Sequence, residues 1–115
     1  MVVKEQSDPN GRDQHQPGAK LDAGKPRPDL VLNGFPRALL AVADVAAYGA
    51  RKYTEDGWRC VPDGQRRYTA AKDRHRLMGA FEALDAESGL MHLAHEAWNA
   101  LAALELKLSE AAHAQ

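Results

Sequence analysis

The stretch E-S-G-L-M-H-L-A-H-E-A-W-N-A-L, residues 87–101, spaces its polar side chains three and four residues apart. On a helix, four of them would share one face, within about 100° of one another: His92, His95, Glu96 and Asn99. Imidazole and carboxamide groups suit a site that binds a metal ion, a phosphate or a nucleobase. A solvated or inter-helix polar seam is the other interpretation, and the residues alone leave both open.

Carboxylates cluster just before this stretch, at Glu82, Asp85 and Glu87. Asp85, Glu87 and Glu96 offer oxygen ligands for Mg²⁺ or Mn²⁺, and His92 and His95, at spacing i, i+3, can reach the same ion. Helix capping and stabilisation of the helix dipole are the alternative roles of these carboxylates. The chain contains no C-x-x-C, G-x-x-x-x-G-K-[ST] or H-E-x-x-H motif.

Basic and aromatic residues upstream supply candidate ligand contacts. Lys20 and Lys25 lie on K-L-D-A-G-K-P-R-P-D-L, which is either a phosphate-binding loop or a solvated arm. Arg74 falls inside an apolar helical stripe, where a guanidinium needs a partner, either Asp44 or a ligand phosphate. Trp58 follows a glycine in a loop, as a lid on the core or as a base-stacking platform.

Three helices are expected to position these groups. Hydrophobic periodicity predicts helices over residues 36–53, 66–84 and 89–108, the first of them with Pro36 at its first position. The three prolines and two glycines of residues 20–36 predict an extended or turning segment instead. Short connections make the helices antiparallel, so the predicted fold is all-α: a small antiparallel helical bundle with an extended Pro/Gly-rich N-terminal arm.

The apolar stripe of the last helix is expected to face the core; its members are Leu93, Ala97, Leu101, Leu104 and Leu108. Composition divides the chain into a flexible arm over residues 1–19, a single all-α domain over residues 20–108 and a frayed tail over residues 109–115. Because a helical set this small has little core of its own, its Ala-rich faces predict a homo-oligomer.

Bulk composition limits the classes of partner. The chain has 115 residues, a formal charge of −1 and one cysteine. The charge balance favours neither a nucleic acid polymer nor a membrane as partner, and the single cysteine fits a reducing compartment. There is no apolar run long enough to span a bilayer. We therefore expect a cytoplasmic protein.

Seven short motifs occur in a characteristic order between about Lys20 and Leu106: K-L-D-A-G-K-P-R-P-D-L, A-A-Y-G-A-R-K-Y, G-W, R-R-Y, R-H, D-A-E-S-G-L and H-L-A-H-x-x-x-N-x-L. In this order the chain resembles a family of mainly phage proteins, the dATP/dGTP diphosphohydrolase N-terminal domain family. That family is similar to the all-α, MazG-like nucleoside triphosphate pyrophosphohydrolases. If phage-encoded, the protein would act in the host cytoplasm.

The resemblance implies an oligomeric, all-α nucleotide-binding protein that acts on deoxynucleoside triphosphates with Mg²⁺ or Mn²⁺. The residues that it marks are Lys20, Gly24, Lys25, Tyr48, Lys52, Tyr53, Trp58, Arg74, His75, Asp85, Glu87, Ser88, His92, His95 and Asn99. From these residues and the inventory above we assign catalysis to Asp85, Glu87 and His92. Metal binding is assigned to Asp85, Glu87, His92, His95 and Glu96. Substrate binding is assigned to Lys20, Lys25, Tyr48, Lys52, Trp58, Arg74, His75, His95 and Asn99.

One departure from the MazG-like pattern keeps a second hypothesis open. Those enzymes hold magnesium with E-E-x-x-E and E-x-x-D, whereas this chain has no E-E-x-x-E and carries H-L-A-H where E-x-x-D is expected. The first hypothesis is a pyrophosphohydrolase that converts a purine deoxynucleoside triphosphate to the monophosphate and pyrophosphate. The second is a non-catalytic phage protein that sequesters a nucleotide immune signal.

Overall fold

The computed structural model describes residues 6–113 of the chain, with side chains described as far as residue 110. It contains four α-helices: α1 (Pro28–Gly34), α2 (Pro36–Lys52), α3 (Gly64–Met78) and α4 (His92–His113). A short 3₁₀ helix, Gly57–Cys60, lies between α2 and α3. Within the described residues the only β-type pairing is an isolated antiparallel bridge between Leu84 and Met91. The all-α prediction is therefore confirmed.

The chain forms two compact units, Met1–Gly34 and Phe35–Gln115. The boundary between these units lies at the end of α1. In the first unit, the nearly buried carboxylate of Asp8 accepts hydrogen bonds from the backbone N–H groups of Asn10 (2.7 Å) and Lys20 (3.0 Å). These bonds tie together the two ends of a segment that consists of turns.

The prediction that residues 20–36 contain no helix was wrong, because α1 spans Pro28–Gly34. Pro28 is the first residue of this helix, where its fixed φ suits the helix and its missing N–H removes no intrahelical hydrogen bond. The residues after it, D-L-V-L-N-G, contain no further proline. The prolines thus precede the helix and do not interrupt it.

In the second unit, α2 begins at Pro36 as predicted, whereas α3 and α4 differ from their predicted bounds. The helix expected over 66–84 ends at Met78, and the helix expected from residue 89 begins at His92. Between them, the Asp85 N–H bonds to the Leu90 carbonyl and the Gly89 N–H to the Asp85 carbonyl, each at 2.7 Å. Gly89 has φ +73°, a conformation that glycine adopts without strain. The connection is therefore a compact turn, and α4 continues to His113, five residues past its predicted end.

Helices α3 and α4 pack antiparallel. His75 near the end of α3 contacts His92 at the start of α4, and Gln65 near the start of α3 bonds to Glu110 near the end of α4. Gly64 leaves room for the Leu106 side chain of α4, because a Cβ at residue 64 would lie 2.7 Å from Leu106 Cδ1. Helix α2 also packs on α4, and Tyr48, late in α2, meets His95, early in α4. The predicted antiparallel arrangement holds for α3 and α4.

The face of α4 that points inward is the polar one, which reverses the expectation from the sequence. His92 (1 % exposed), His95 (6 %) and Asn99 (6 %) are buried, together with the small residues Ala94 and Ala102. The leucines predicted to form the core are instead 51–66 % exposed, namely Leu93, Leu101, Leu104 and Leu108, and Ala97 is also exposed. The polar groups tolerate burial because every buried side-chain nitrogen and oxygen among the described residues has a hydrogen-bond partner.

No single helix in the described part of the chain is long and apolar enough to cross a membrane. Helices α1 and α2 reach that length and composition only when they are counted together across the break between them.

Candidate functional site

A cleft of ≈ 750 Å³ opens in the second unit between the end of α2, the 3₁₀ helix, α3 and the start of α4. Its wall includes polar, charged and aromatic side chains from all of these elements. Nine of the residues assigned to the site from the sequence line it: Tyr48, Lys52, Trp58, Arg74, His75, Asp85, Glu87, His95 and Asn99.

Three histidine rings lie together where α3 meets α4. The rings of His75 and His95 stack, with centroids 4.4 Å apart and planes 9° apart. The Nδ1 atoms of His75 and His92 approach to 2.9 Å, which requires one proton between them in the absence of an ion. On its other side His92 Nε2 donates to Glu82 Oε1 at 3.0 Å. His92 is thus held between an imidazole and a carboxylate, behind the residues that line the cleft.

The hydroxyl of Ser88 connects Asp85 to His95. The Ser88 backbone N–H and hydroxyl donate to Asp85 Oδ2, at 2.8 and 2.7 Å. Because the hydroxyl has a single proton and gives it to the carboxylate, its oxygen accepts from His95 Nε2 at 2.7 Å. His95 is thereby fixed in the tautomer that carries its proton on Nε2. Its Nδ1 has no hydrogen-bond partner among the described residues.

Burial and hydrogen bonding set the charges of this cluster. Burial is the largest influence on His75 and His95 and lowers the pKa of both rings below the ordinary value of 6.5. Partial burial acts to raise the pKa of Asp85, whereas the two hydrogen bonds from Ser88 act to lower it. The pKa of this carboxyl is lowered overall. At neutral pH the rings of His75 and His95 are therefore uncharged, and they lie near the ionised carboxylate of Asp85.

The carboxylate of Glu87 contacts two residues of α2. Its carboxylate lies 2.6 Å from Lys52 Nζ, and a hydrogen bond with Tyr48 adds to the effect of Lys52 in lowering the Glu87 pKa. Burial, followed by the bond to Glu87, raises the pKa of Tyr48. Glu87 therefore links the end of α2 to the turn before α4, and it lies apart from the imidazole cluster that could hold an ion.

Arg74 is exposed on the wall of the cleft, although its position in an apolar stripe predicted burial. The stripe itself is exposed, since Leu77 is 65 % and Phe81 77 % accessible. Arg74 makes no ion pair with Asp44 or with any other carboxylate in the described range. Its guanidinium is available to an anionic ligand.

Trp58 belongs to an aromatic cluster with Tyr68 and Trp98. Its ring meets theirs edge to face, at 6.3 and 5.7 Å between centroids, and the Tyr68 hydroxyl donates to the Trp58 carbonyl at 3.0 Å. The Arg59 guanidinium lies 4.6 Å from the Trp58 ring centroid. These contacts favour the interpretation of Trp58 as a lid on the core.

The remaining assigned residues lie elsewhere. Lys20 and Lys25 belong to the first unit, where both side chains are exposed, so their role in phosphate binding stays a prediction. Glu96 is half-buried on α4 and is not part of the cleft wall. Glu82 is the partner that the sequence did not indicate for His92. It lies ten residues earlier in a non-helical connection, so no helical spacing relates the two.

One group of side chains has the geometry of a metal site. His75, Asp85 and His92 each offer a ligand atom, and the three atoms lie within 4.8 Å of one another. This set shares Asp85 and His92 with the set assigned from the sequence, adds His75, and excludes Glu87, His95 and Glu96. Two imidazoles and a carboxylate fit a divalent ion chemically.

Comparison with known proteins gives one match. A family model described as dATP/dGTP diphosphohydrolase, N-terminal, matches residues 15–114. No curated protein and no solved structure matches the chain.

Proposed function

The chain belongs to the dATP/dGTP diphosphohydrolase N-terminal family, and from that membership we propose that it binds a purine deoxynucleoside triphosphate in the cleft and hydrolyses it to the monophosphate and pyrophosphate. The observation that carries the proposal is the composition of the cleft. It is lined by the cations Lys52 and Arg74, by Asp85, and by the stacked imidazoles of His75 and His95. A triphosphate needs the cations, and hydrolysis needs a base.

Phosphate binding is assigned first to Arg74 and Lys52. Arg74 has the planar donor geometry that suits phosphate oxygens, and it has no carboxylate partner among the described residues. Lys52 is held in place by Glu87 and can donate to a phosphate with its remaining protons.

The reaction joins a water oxygen to the α-phosphorus and breaks the bond from that phosphorus to the bridging oxygen of the β-phosphate. Pyrophosphate leaves with the electron pair. The proton released by water passes to His95, which lines the cleft, holds its Nε2 proton toward Ser88 and has a free Nδ1 lone pair. His75, Asp85 and His92 would hold a divalent ion, which would supply positive charge to polarise the phosphate.

We propose that the protein is a homo-oligomer. Among the described residues only Val45, Ala94 and Ala102 are buried apolar side chains, too few for a unit of this size to be stable alone. The exposed stripe of Leu93, Leu101 and Leu104 lies on the face of α4 opposite the site. A second copy presents the same stripe, so a two-fold pairing of these faces would cover both at once.

The test of the enzymatic proposal is direct. Purified protein is incubated with each of dATP, dGTP, dCTP and dTTP plus Mg²⁺, Mn²⁺ or Co²⁺, and the products are separated. Monophosphate and pyrophosphate from dATP or dGTP are expected. Asp85→Asn should abolish turnover, and Glu96→Gln, which changes a carboxylate on the same helix outside the cleft, should not. Absence of turnover with every nucleotide and ion would contradict the proposal.

One observation favours a second candidate function, binding without catalysis. The cluster that could hold an ion contains a single carboxylate, Asp85, and the chain lacks E-E-x-x-E. Such a protein would sequester a nucleotide signal in the same cleft. Thermal-shift screening followed by recovery of the bound ligand separates the two functions, because an enzyme returns products and a sequestering protein returns the intact nucleotide.

A further inference from the structure

We propose that His75, Asp85 and His92 form a binding site for a first-row transition-metal ion, of the series from Mn²⁺ to Zn²⁺, and that the site discriminates against Mg²⁺. This proposal deepens the function proposed above. A catalytic role for the ion rests on that function, whereas binding of the ion is independent of it.

The spacing of the two nitrogens supports the site. His75 Nδ1 and His92 Nδ1 lie 2.9 Å apart. Two nitrogens bound to one ion at about 2.0–2.1 Å and at a right angle would be separated by about 2.9 Å. The ring centroids lie 5.2 Å apart, so the two Nδ1 lone pairs point toward each other. An ion bound by the His92 lone pair would take the place of the shared proton, and the His75 ring would turn or shift to bind it. Asp85 offers a ligand atom within 4.8 Å of one on each histidine.

The hydrogen-bond partners of these residues are also typical of metal ligands in proteins. A metal-binding histidine typically donates its second ring N–H to a carboxylate, which orients the ring. His92 does so toward Glu82 Oε1 at 3.0 Å. Asp85 is held by two hydrogen bonds from Ser88 through one of its oxygens, Oδ2. These partners fix the orientation of two of the three ligands before any ion binds.

The donor set determines the class of ion. Mg²⁺ is bound by oxygen ligands and water in near-octahedral geometry, and imidazole ligands suit Mn²⁺, Co²⁺ and Zn²⁺. Two of the three donors here are imidazoles. Three protein ligands also leave positions for water or a phosphate oxygen, as in catalytic rather than structural sites. His75 and Asp85 line the cleft, so these positions are accessible to a ligand there.

The test is a titration of the protein with Co²⁺, followed by its visible absorption and by calorimetry. One equivalent should bind, with ligand-field bands that excess Mg²⁺ does not remove and that Zn²⁺ does. His75→Gln and Asp85→Asn should each weaken binding at least tenfold. His15→Gln, in the first unit, should bind normally. Glu82→Gln should weaken binding about tenfold and shift the bands, because the carboxylate only positions His92.

The proposal is overturned if Co²⁺ does not bind, if His75→Gln and Asp85→Asn bind it as the parent does, or if Mg²⁺ displaces it at equal concentration. Circular dichroism checks that each variant is folded, and His75→Gln decides the result if the variants of the more buried positions do not fold. Co²⁺ binding without hydrolysis of any nucleotide would contradict the proposed enzyme and leave the metal site standing. Hydrolysis with Mg²⁺ in a protein that binds no Co²⁺ would support the proposed enzyme and overturn the metal site.

Discussion

The rings of His75 and His95 stack 4.4 Å apart and nearly parallel, one from α3 and one from α4. Two protonated imidazoles in this arrangement would repel each other, and burial already disfavours the charged form of each. The negative charge of Asp85 acts to raise the pKa of His75, and the positive charge of Arg74 acts to lower it further. The stacking therefore makes the interface of α3 and α4 sensitive to pH.

We predict that the protein loses stability as the pH falls below the ordinary histidine value of 6.5. Above that value both rings are neutral in the folded and unfolded states, so they contribute no pH dependence. Below it the unfolded chain binds protons first, which favours unfolding until the lowered folded-state pKa values are reached. Urea unfolding between about pH 7.5 and pH 5 measures the effect.

The control for this prediction is His75→Phe, which keeps an aromatic ring in the stack and removes one titrating group. It should show a shallower loss of stability over the same range. His15→Gln, which changes an exposed histidine of the first unit, should retain the parent profile. Equal slopes for His75→Phe and the parent would show that the pH dependence has another origin.

His92→Ala should destabilise the protein. The side chain is 1 % exposed and bonds both His75 and Glu82. Its removal leaves two partners unsatisfied, at a cost of about 1–3 kcal/mol. Chemical denaturation measures the loss, with His15→Ala as the exposed control. Unchanged stability of His92→Ala would mean that the observed bonds contribute nothing net.

Lys52→Met should weaken the binding of a deoxynucleoside triphosphate by about 10- to 100-fold, the range expected for loss of a charge-assisted hydrogen bond. The melting temperature should change little, because the pair with Glu87 is solvent-exposed. Arg51→Met removes a positive charge from the adjacent residue, which does not line the cleft. Calorimetric titration of both variants should show a loss for Lys52→Met alone. Equal losses would indicate a general effect of net charge.

A double substitution on the exposed stripe of α4, Leu101→Glu and Leu104→Glu, should convert the proposed homo-oligomer to a monomer. Charged side chains facing the same charges in a second copy would be desolvated and repelled. Light scattering coupled to size-exclusion chromatography measures the mass. Thr69→Glu, which adds a carboxylate at an exposed polar position of α3, should leave the mass unchanged. A parent protein that is already monomeric at micromolar concentration would contradict the assembly.

The sequence determined the helical class and much of the layout, because these depend on local patterns. The start of α2 at Pro36 follows from the geometry of proline, and the periodicity of residues 92–108 identifies a two-faced helix without reference to any other part of the chain. The compact turn between α3 and α4 was less predictable. Its Asp85–Leu90 hydrogen bond and the Leu84–Met91 bridge form between residues whose types are also compatible with helix.

Only the tertiary structure decided which face of α4 lies inside. Periodicity separates His92, His95 and Asn99 from the leucines, but burial of a polar face is acceptable only when partners complete its hydrogen bonds. Those partners are His75 and Glu82 for His92 and Ser88 for His95, brought together by the antiparallel packing of α3 on α4 and the turn between them. The candidate metal site has the same origin. The distance between His75 Nδ1 and His92 Nδ1 is set by that packing, because seventeen residues of chain separate the two rings and no local pattern relates them.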